Sequence, residues 1–248
     1  MTLVLASLIF ILCQFVKALR IYFVLGEYRI KFISLFLLNN IAVFCSYLMG
    51  GGLVLIYEII VIFFLYLFKL PLLSSCYTLL VLRLFDSIII SVVIPLLGIS
   101  VSNKFYLLIC FFAITSWLMV STLPVILNRL EKRILISDFP PKVSLQCLKQ
   151  LVIFEKQINL LSFFRRGSVP MLIMLTFLIW GLESLSLATL YGNFWSGADA
   201  VFSRVAGSLG IVHVRSFNEY NILIYIMIAI TFLVFAFSLC KSILENRK

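Results

Sequence analysis

The feature that most constrains this chain is its succession of continuous apolar runs. They cover residues 2–16, 32–48, 53–68, 72–97, 105–127, 169–191 and 221–240. A helix rises 1.5 Å per residue, so about 20 such residues span the hydrocarbon core of a bilayer. The first run is short, and amphipathic residues through Tyr22–Leu25 extend it. Because the runs are continuous rather than alternating, they exclude a membrane β-barrel, whose strands switch polarity at every residue. The chain is 63% hydrophobic and 12% charged, with mean hydropathy +1.18. A soluble domain is about 45–50% apolar, so the excess excludes a soluble globular class. The expected fold is all-α. It is a polytopic helical membrane protein of six or seven transmembrane helices, treated as one membrane domain over residues 1–248.

Four charged residues fall inside these runs: Glu58, Arg83, Asp86 and Glu183. A charge at the bilayer centre costs at least about 2.5–3.5 kcal/mol on insertion scales, and such residues usually face a bundle interior or a wet cavity. Arg83 and Asp86 lie three apart, which puts them on one side of a helix. Two readings stay open for them: a structural ion pair that locks helix packing, or a site for a lipid phosphate or sugar. In the second, Arg83 is the anion contact, a role suited to a guanidinium. Glu58 and Glu183 are candidates to oppose Arg83, to carry a proton within the membrane, or to relay one.

Gly50-Gly51-Gly52 interrupts two apolar runs. Broken helices survive in a membrane where protein or cavity water satisfies the backbone, and they often mark transporter substrate sites. The alternatives are a tight turn between two spans, or a re-entrant hairpin of two half-helices that removes two crossings. Asn39 and Asn40 precede the break by about three turns, and either line the same cavity or bond across helices. The candidate binding set is therefore Asn39, Asn40, Gly50, Gly51, Gly52, Glu58, Arg83, Asp86 and Glu183.

The formal net charge is +10. The basic residues flank apolar runs, the pattern of topology and headgroup contact rather than of nucleic-acid binding. Residues 128–167 carry eight basic side chains against three acidic ones. Pro140-Pro141 breaks this segment, and Val143, Leu145, Leu148, Leu151, Val152, Ile158 and Leu161 then recur at near-helical spacing. That predicts an amphipathic helix on the cytoplasmic membrane surface, which also offers a docking face for a protein partner. With seven spans, the N-terminus outside and the C-terminus in the cytoplasm, 16 of the 20 Lys and Arg residues lie inside, as the positive-inside rule requires. Residues 192–220 read as a short interfacial or re-entrant segment.

Six scattered cysteines contain no CxxC pair, so neither a disulfide framework nor a metal site is expected. His213 has no companions at ligand spacing. No phosphate-binding glycine loop or other cofactor motif occurs. No cleavable signal peptide is expected either, since no basic n-region precedes the first run.

The order of several short motifs resembles the transmembrane domain of the lysylphosphatidylglycerol synthases and their stand-alone, flippase-like relatives. The pieces are Lys17-Ala18-Leu19-Arg20-Ile21-Tyr22, Leu38-Asn39-Asn40, Gly50-Gly51-Gly52-Leu53, Leu82-Arg83-Leu84-Phe85-Asp86 and Trp180-Gly181-Leu182-Glu183. The chain departs from that family in lacking its additional N-terminal span. It also lacks the Pro-Gly-Gly-x-Gly-type loop, and the basic residue that often follows the glycine break. Since no aminoacyl-transferase domain is present, the resemblance implies translocation or binding of a phospholipid or lipid-linked sugar, without aminoacylation. Two other classes stay open: a membrane-embedded transferase acting on a lipid-linked substrate, and a non-catalytic membrane subunit of a larger complex.

Overall fold

In the computed structural model, residues 2–26, 28, 30–48, 54–96, 103–136, 140–160, 168–208 and 222–233 are described. The described residues are all-helical and contain no strand. The helices are α1 (Thr2–Leu25), α2 (Phe32–Leu48), α3 (Val54–Leu67), α4 (Leu72–Leu96), α5 (Asn103–Ile136), α6 (Pro141–Leu160), α7 (Ser168–Tyr191) and α8 (Phe194–Ser208). A ninth helix, α9, covers Ile222–Leu233. Among the described residues, three helices are long and apolar enough to cross a membrane: Thr2–Leu25, Ser74–Val92 within α4, and Val169–Tyr191 within α7. Gly50–Gly52, His213, Arg165, Arg166 and the tail from residue 234 lie outside the described residues.

The chain packs as two compact units. The first comprises Met1–Tyr22, Ile30–Phe64 and Met174–Lys248; the second comprises Phe23–Arg29 and Leu65–Ile173. In the first unit α1 and α7 run antiparallel. Ser186 Oγ donates to the Ala6 carbonyl, Cys13 Sγ to the Ile179 carbonyl, and Arg20 Nη1 to Thr176 Oγ1, so partners descend along α7 as they ascend along α1. Ala6 and Phe10 of α1 join Leu187 of α7, Ala200 and Val201 of α8, and Leu223, Ile224 and Met227 of α9 in one apolar cluster. On the α2 side, the Phe15 ring packs on Phe32 at 4.8 Å between centroids. In the second unit α4, α5 and α6 pack on one another, and Tyr106 of α5 donates to the Ser91 carbonyl of α4.

Large apolar side chains lie exposed on α1 and α7 while several polar ones are buried. Along α1, Leu5, Leu8, Leu12 and Phe15 are exposed, while Gln14 is 0% and Arg20 7% exposed. Along α7, Met174, Phe177, Leu178 and Leu185 face out, while Thr176, Glu183, Ser184 and Ser186 are buried. An apolar exterior over an interior that shelters polar groups among its apolar side chains suits a hydrocarbon solvent. The hydroxyls of Ser7, Ser75, Thr78, Thr122 and Thr231 each donate to the carbonyl four residues earlier in the chain. That is the usual way for such groups to satisfy themselves on a helix in an apolar medium.

α7 ends at Gly192, whose φ of 74° is a left-handed conformation open to glycine at low cost. Asn193 then caps α8, its Oδ1 accepting from the Trp195 N–H at 3.1 Å. The tight turn brings Gly197 of α8 against the α7 backbone: an added Cβ would meet the Ser184 carbonyl oxygen, and would lie 2.5 Å from the Ala188 nitrogen. Gly181, by contrast, has nothing within 4 Å of where its Cβ would stand. Two alanine substitutions should therefore act in opposite directions. Gly197→Ala should destabilise by about 1–3 kcal/mol through overpacking against immobile backbone. Gly181→Ala should stabilise by about 0.5–1 kcal/mol through helix propensity. Thermal unfolding of the two variants in detergent checks both signs.

Candidate functional site

The polar interior of the first unit starts from three residues of α1. Gln14, Lys17 and Arg20 recur every third position, which confines them to one side of a helix. Each meets a different partner. Gln14 Oε1 accepts from Asn39 Nδ2 at 2.9 Å, and Asn39 Oδ1 accepts from Tyr57 Oη of α3 at 2.8 Å. Lys17 Nζ lies 2.9 Å from Glu183 Oε2. Arg20 Nη1 donates to Thr176 Oγ1 at 3.1 Å. The antiparallel packing of α1 and α7 explains the Lys17–Glu183 meeting. Side chains tilt toward the N-terminus of their own helix. Lys17 and Glu183 therefore lean toward each other along helices that run in opposite directions.

The pair is largely withdrawn from solvent, with side-chain exposures of 18% for Lys17 and 6% for Glu183. Asn40, next to Asn39, is 1% exposed, and neither its amide nitrogen nor its amide oxygen has a hydrogen-bond partner. The Gln14 amide nitrogen is in the same condition. A buried polar group left unmade costs about 1–3 kcal/mol. The first unit therefore retains two unpaired amide donor groups and one unpaired amide acceptor. Glu58 stands half-buried on α3, one residue past Tyr57.

The second unit holds another ion pair. Arg83 Nη1 lies 3.2 Å from Asp86 Oδ2 within one turn of α4. Asp86 is buried, whereas the Arg83 side chain keeps 29% exposure. Ser74, Ser75, Thr78 and Ser87 are buried on the same helix. Burial lifts the Tyr28 hydroxyl above its ordinary pKa, and a hydrogen bond with Ser74 opposes the lift.

The structure thus groups Asn39, Asn40, Glu58 and Glu183 in the first unit, and Arg83 and Asp86 in the second. Glu183 meets Lys17, and Arg83 meets Asp86. Sequence reading did not single out Gln14, Tyr57 or Thr176, and it named Lys17 and Arg20 within a motif of the resemblance without placing them in the site. The recurrence of polar residues every third position from Gln14, inside a run that the helix carries on to Leu25, is the signal that reveals Gln14, Lys17 and Arg20. No group of three or more His, Cys, Asp or Glu side chains able to hold a metal occurs among the described residues. The five described cysteines are free thiols.

Comparison of the chain with models of known families, with curated proteins and with solved structures finds no match.

Removing one member of a buried pair strands the other charge, at a cost of about 3–5 kcal/mol, whereas replacing both by apolar residues of similar volume is often neutral or stabilising. Lys17→Ala should therefore lower the unfolding temperature clearly, and Lys17→Met combined with Glu183→Leu should restore most of it. A double-mutant cycle on thermal unfolding in detergent measures this coupling.

Proposed function

We propose that this chain is a multi-pass membrane protein of six or seven spans that binds and translocates a lipid or lipid-linked headgroup through the seam formed by α1, α2 and α7. The observation that carries the reading is the seam itself: buried Gln14, Arg20, Asn39, Asn40 and Glu183 on helices whose outward faces are apolar. Intramembrane ionisable groups are costly and mark paths for polar cargo. Lys17 and Arg20 attract a phosphate. The carboxamides of Gln14 and Asn40 offer hydrogen bonds to phosphate oxygens or sugar hydroxyls. Glu183 balances the cations and holds Lys17 in place. In the second unit, taken by itself, Arg83 keeps enough exposure to contact an anion.

The short apolar helices α2, α3 and α9, together with the apolar part of α5, supply the spans beyond the three long ones. The distribution of basic residues supports a cell-membrane location with the N-terminus outside and the C-terminus in the cytoplasm. The resemblance to the flippase-like family points the same way.

The test uses a variant that removes the charges without stranding one. Lys17→Met combined with Glu183→Leu, reconstituted in liposomes, should fold and insert. It should slow exchange of a fluorescent phospholipid between leaflets by about tenfold or more, the change expected when about 1.4 kcal/mol of stabilisation is lost at the barrier. Transfer at the wild-type rate would overturn the proposal.

A further inference from the structure

The seam leaves one charged surface unexplained. α5 does not stop where its apolar stretch ends at Leu127. It continues unbroken to Ile136, for 34 residues in all. With residues 105–127 crossing the hydrocarbon, Arg129, Lys132 and Arg133 project about 3–9 Å beyond it at 1.5 Å per residue. This is the depth of lipid headgroups, since each interfacial layer is roughly 5–8 Å thick. All three side chains are exposed.

α6 returns the chain against this end of α5. Its Cys147 and Leu151 line a shallow groove with Leu130 and Ile134 of α5. Around α6 the inner side holds Ser144, Leu148 and Leu151, none of them fully exposed. The outer side carries two adjoining stripes, each repeating at seven residues. Leu145 and Val152 are 72% and 51% exposed, and beside them Lys142 and Lys149 are exposed as well. Opposing acids are few among the described side chains: Glu131 is half-buried and Glu155 exposed.

We propose that α6 and the last two turns of α5 form a binding surface for anionic lipid headgroups. In this arrangement Leu145 and Val152 sink into the interface, while Lys142, Lys149, Arg129, Lys132 and Arg133 engage phosphates. Apolar and cationic stripes side by side are the arrangement of a helix lying in the plane of a charged interface, with lysine stems following the apolar surface and ammonium groups held at headgroup level. Charge complementarity selects the occupant, because each basic residue near an anionic leaflet favours binding by about fivefold. The inference needs α5 to cross the membrane, and it is independent of whether the α1–α2–α7 seam carries a cargo.

The experiment is amide hydrogen exchange on the full chain in nanodiscs. One set is made of phosphatidylcholine alone, the other of phosphatidylcholine with an equal amount of phosphatidylglycerol. Residues 141–160 should exchange more slowly in the anionic discs. The difference should vanish at about 1 M salt, where the screening length falls to about 3 Å. Lys142→Gln combined with Lys149→Gln should lower protection in anionic discs by about fivefold per lysine, while α4 exchanges as in the wild type. Leu145→Ser combined with Val152→Ser should lower protection in both kinds of disc. Equal exchange of wild-type residues 141–160 in the two lipids would overturn the proposal, and so would a lysine variant that keeps the full difference.

Discussion

Everything in this fold turns on one rule: lipid acyl chains neither donate nor accept hydrogen bonds. A polar side chain within a span must therefore be satisfied by another part of the protein, or remain costly. The chain meets the rule in two ways. Serine and threonine hydroxyls turn back onto their own helix. Larger groups reach across to a neighbour, as Lys17 does to Glu183 and Gln14 to Asn39. Packing of α1 against α2 and α7 follows from these meetings as much as from the apolar cluster around Phe10. Asn40 breaks the rule with both ends of its amide and Gln14 with its amide nitrogen, and such breaks are where a function is to be sought.

Much of the architecture was legible in the sequence, because hydropathy and helix boundaries coincide when a span is bounded by glycine, proline or charge. The run at 32–48 is α2, the run at 53–68 is α3 within a residue at each end, and the long run from residue 72 is α4. The amphipathic spacing after Pro140 marks α6. Arg83 and Asp86 were legible as a pair because their relation is local, three positions on one helix. α5 shows where this logic fails. The polar Asn128 and the charges from Arg129 onward end the apolar stretch, but no residue there breaks a helix, so the helix continues while the hydropathy does not.

The seam was harder to see for a different reason. Lys17 and Arg20 follow an apolar run and read as flanking charges that set topology. Their burial depends on α7, a helix from the far end of the chain. No local pattern encodes a partner separated by 166 residues. The same holds for Gln14, a single amide whose meaning comes from Asn39 on the next helix. A residue in the seam shows its role once three helices are in place. The pair on α4 shows its role within one turn.

The distance between Lys17 and Glu183 along the chain also orders events during synthesis. A ribosome adds about 5–20 residues per second, so on the order of ten seconds pass between the emergence of Lys17 and that of Glu183. During that interval α1, with its lysine, arginine and glutamine, enters the membrane region before its carboxylate exists. Until α7 arrives, the Lys17 charge lacks the Glu183 carboxylate, and an unpaired charge of this kind favours a hydrated position. α1 is thus made well before α7, and its contacts through Lys17 and Arg20 are completed when α7 arrives.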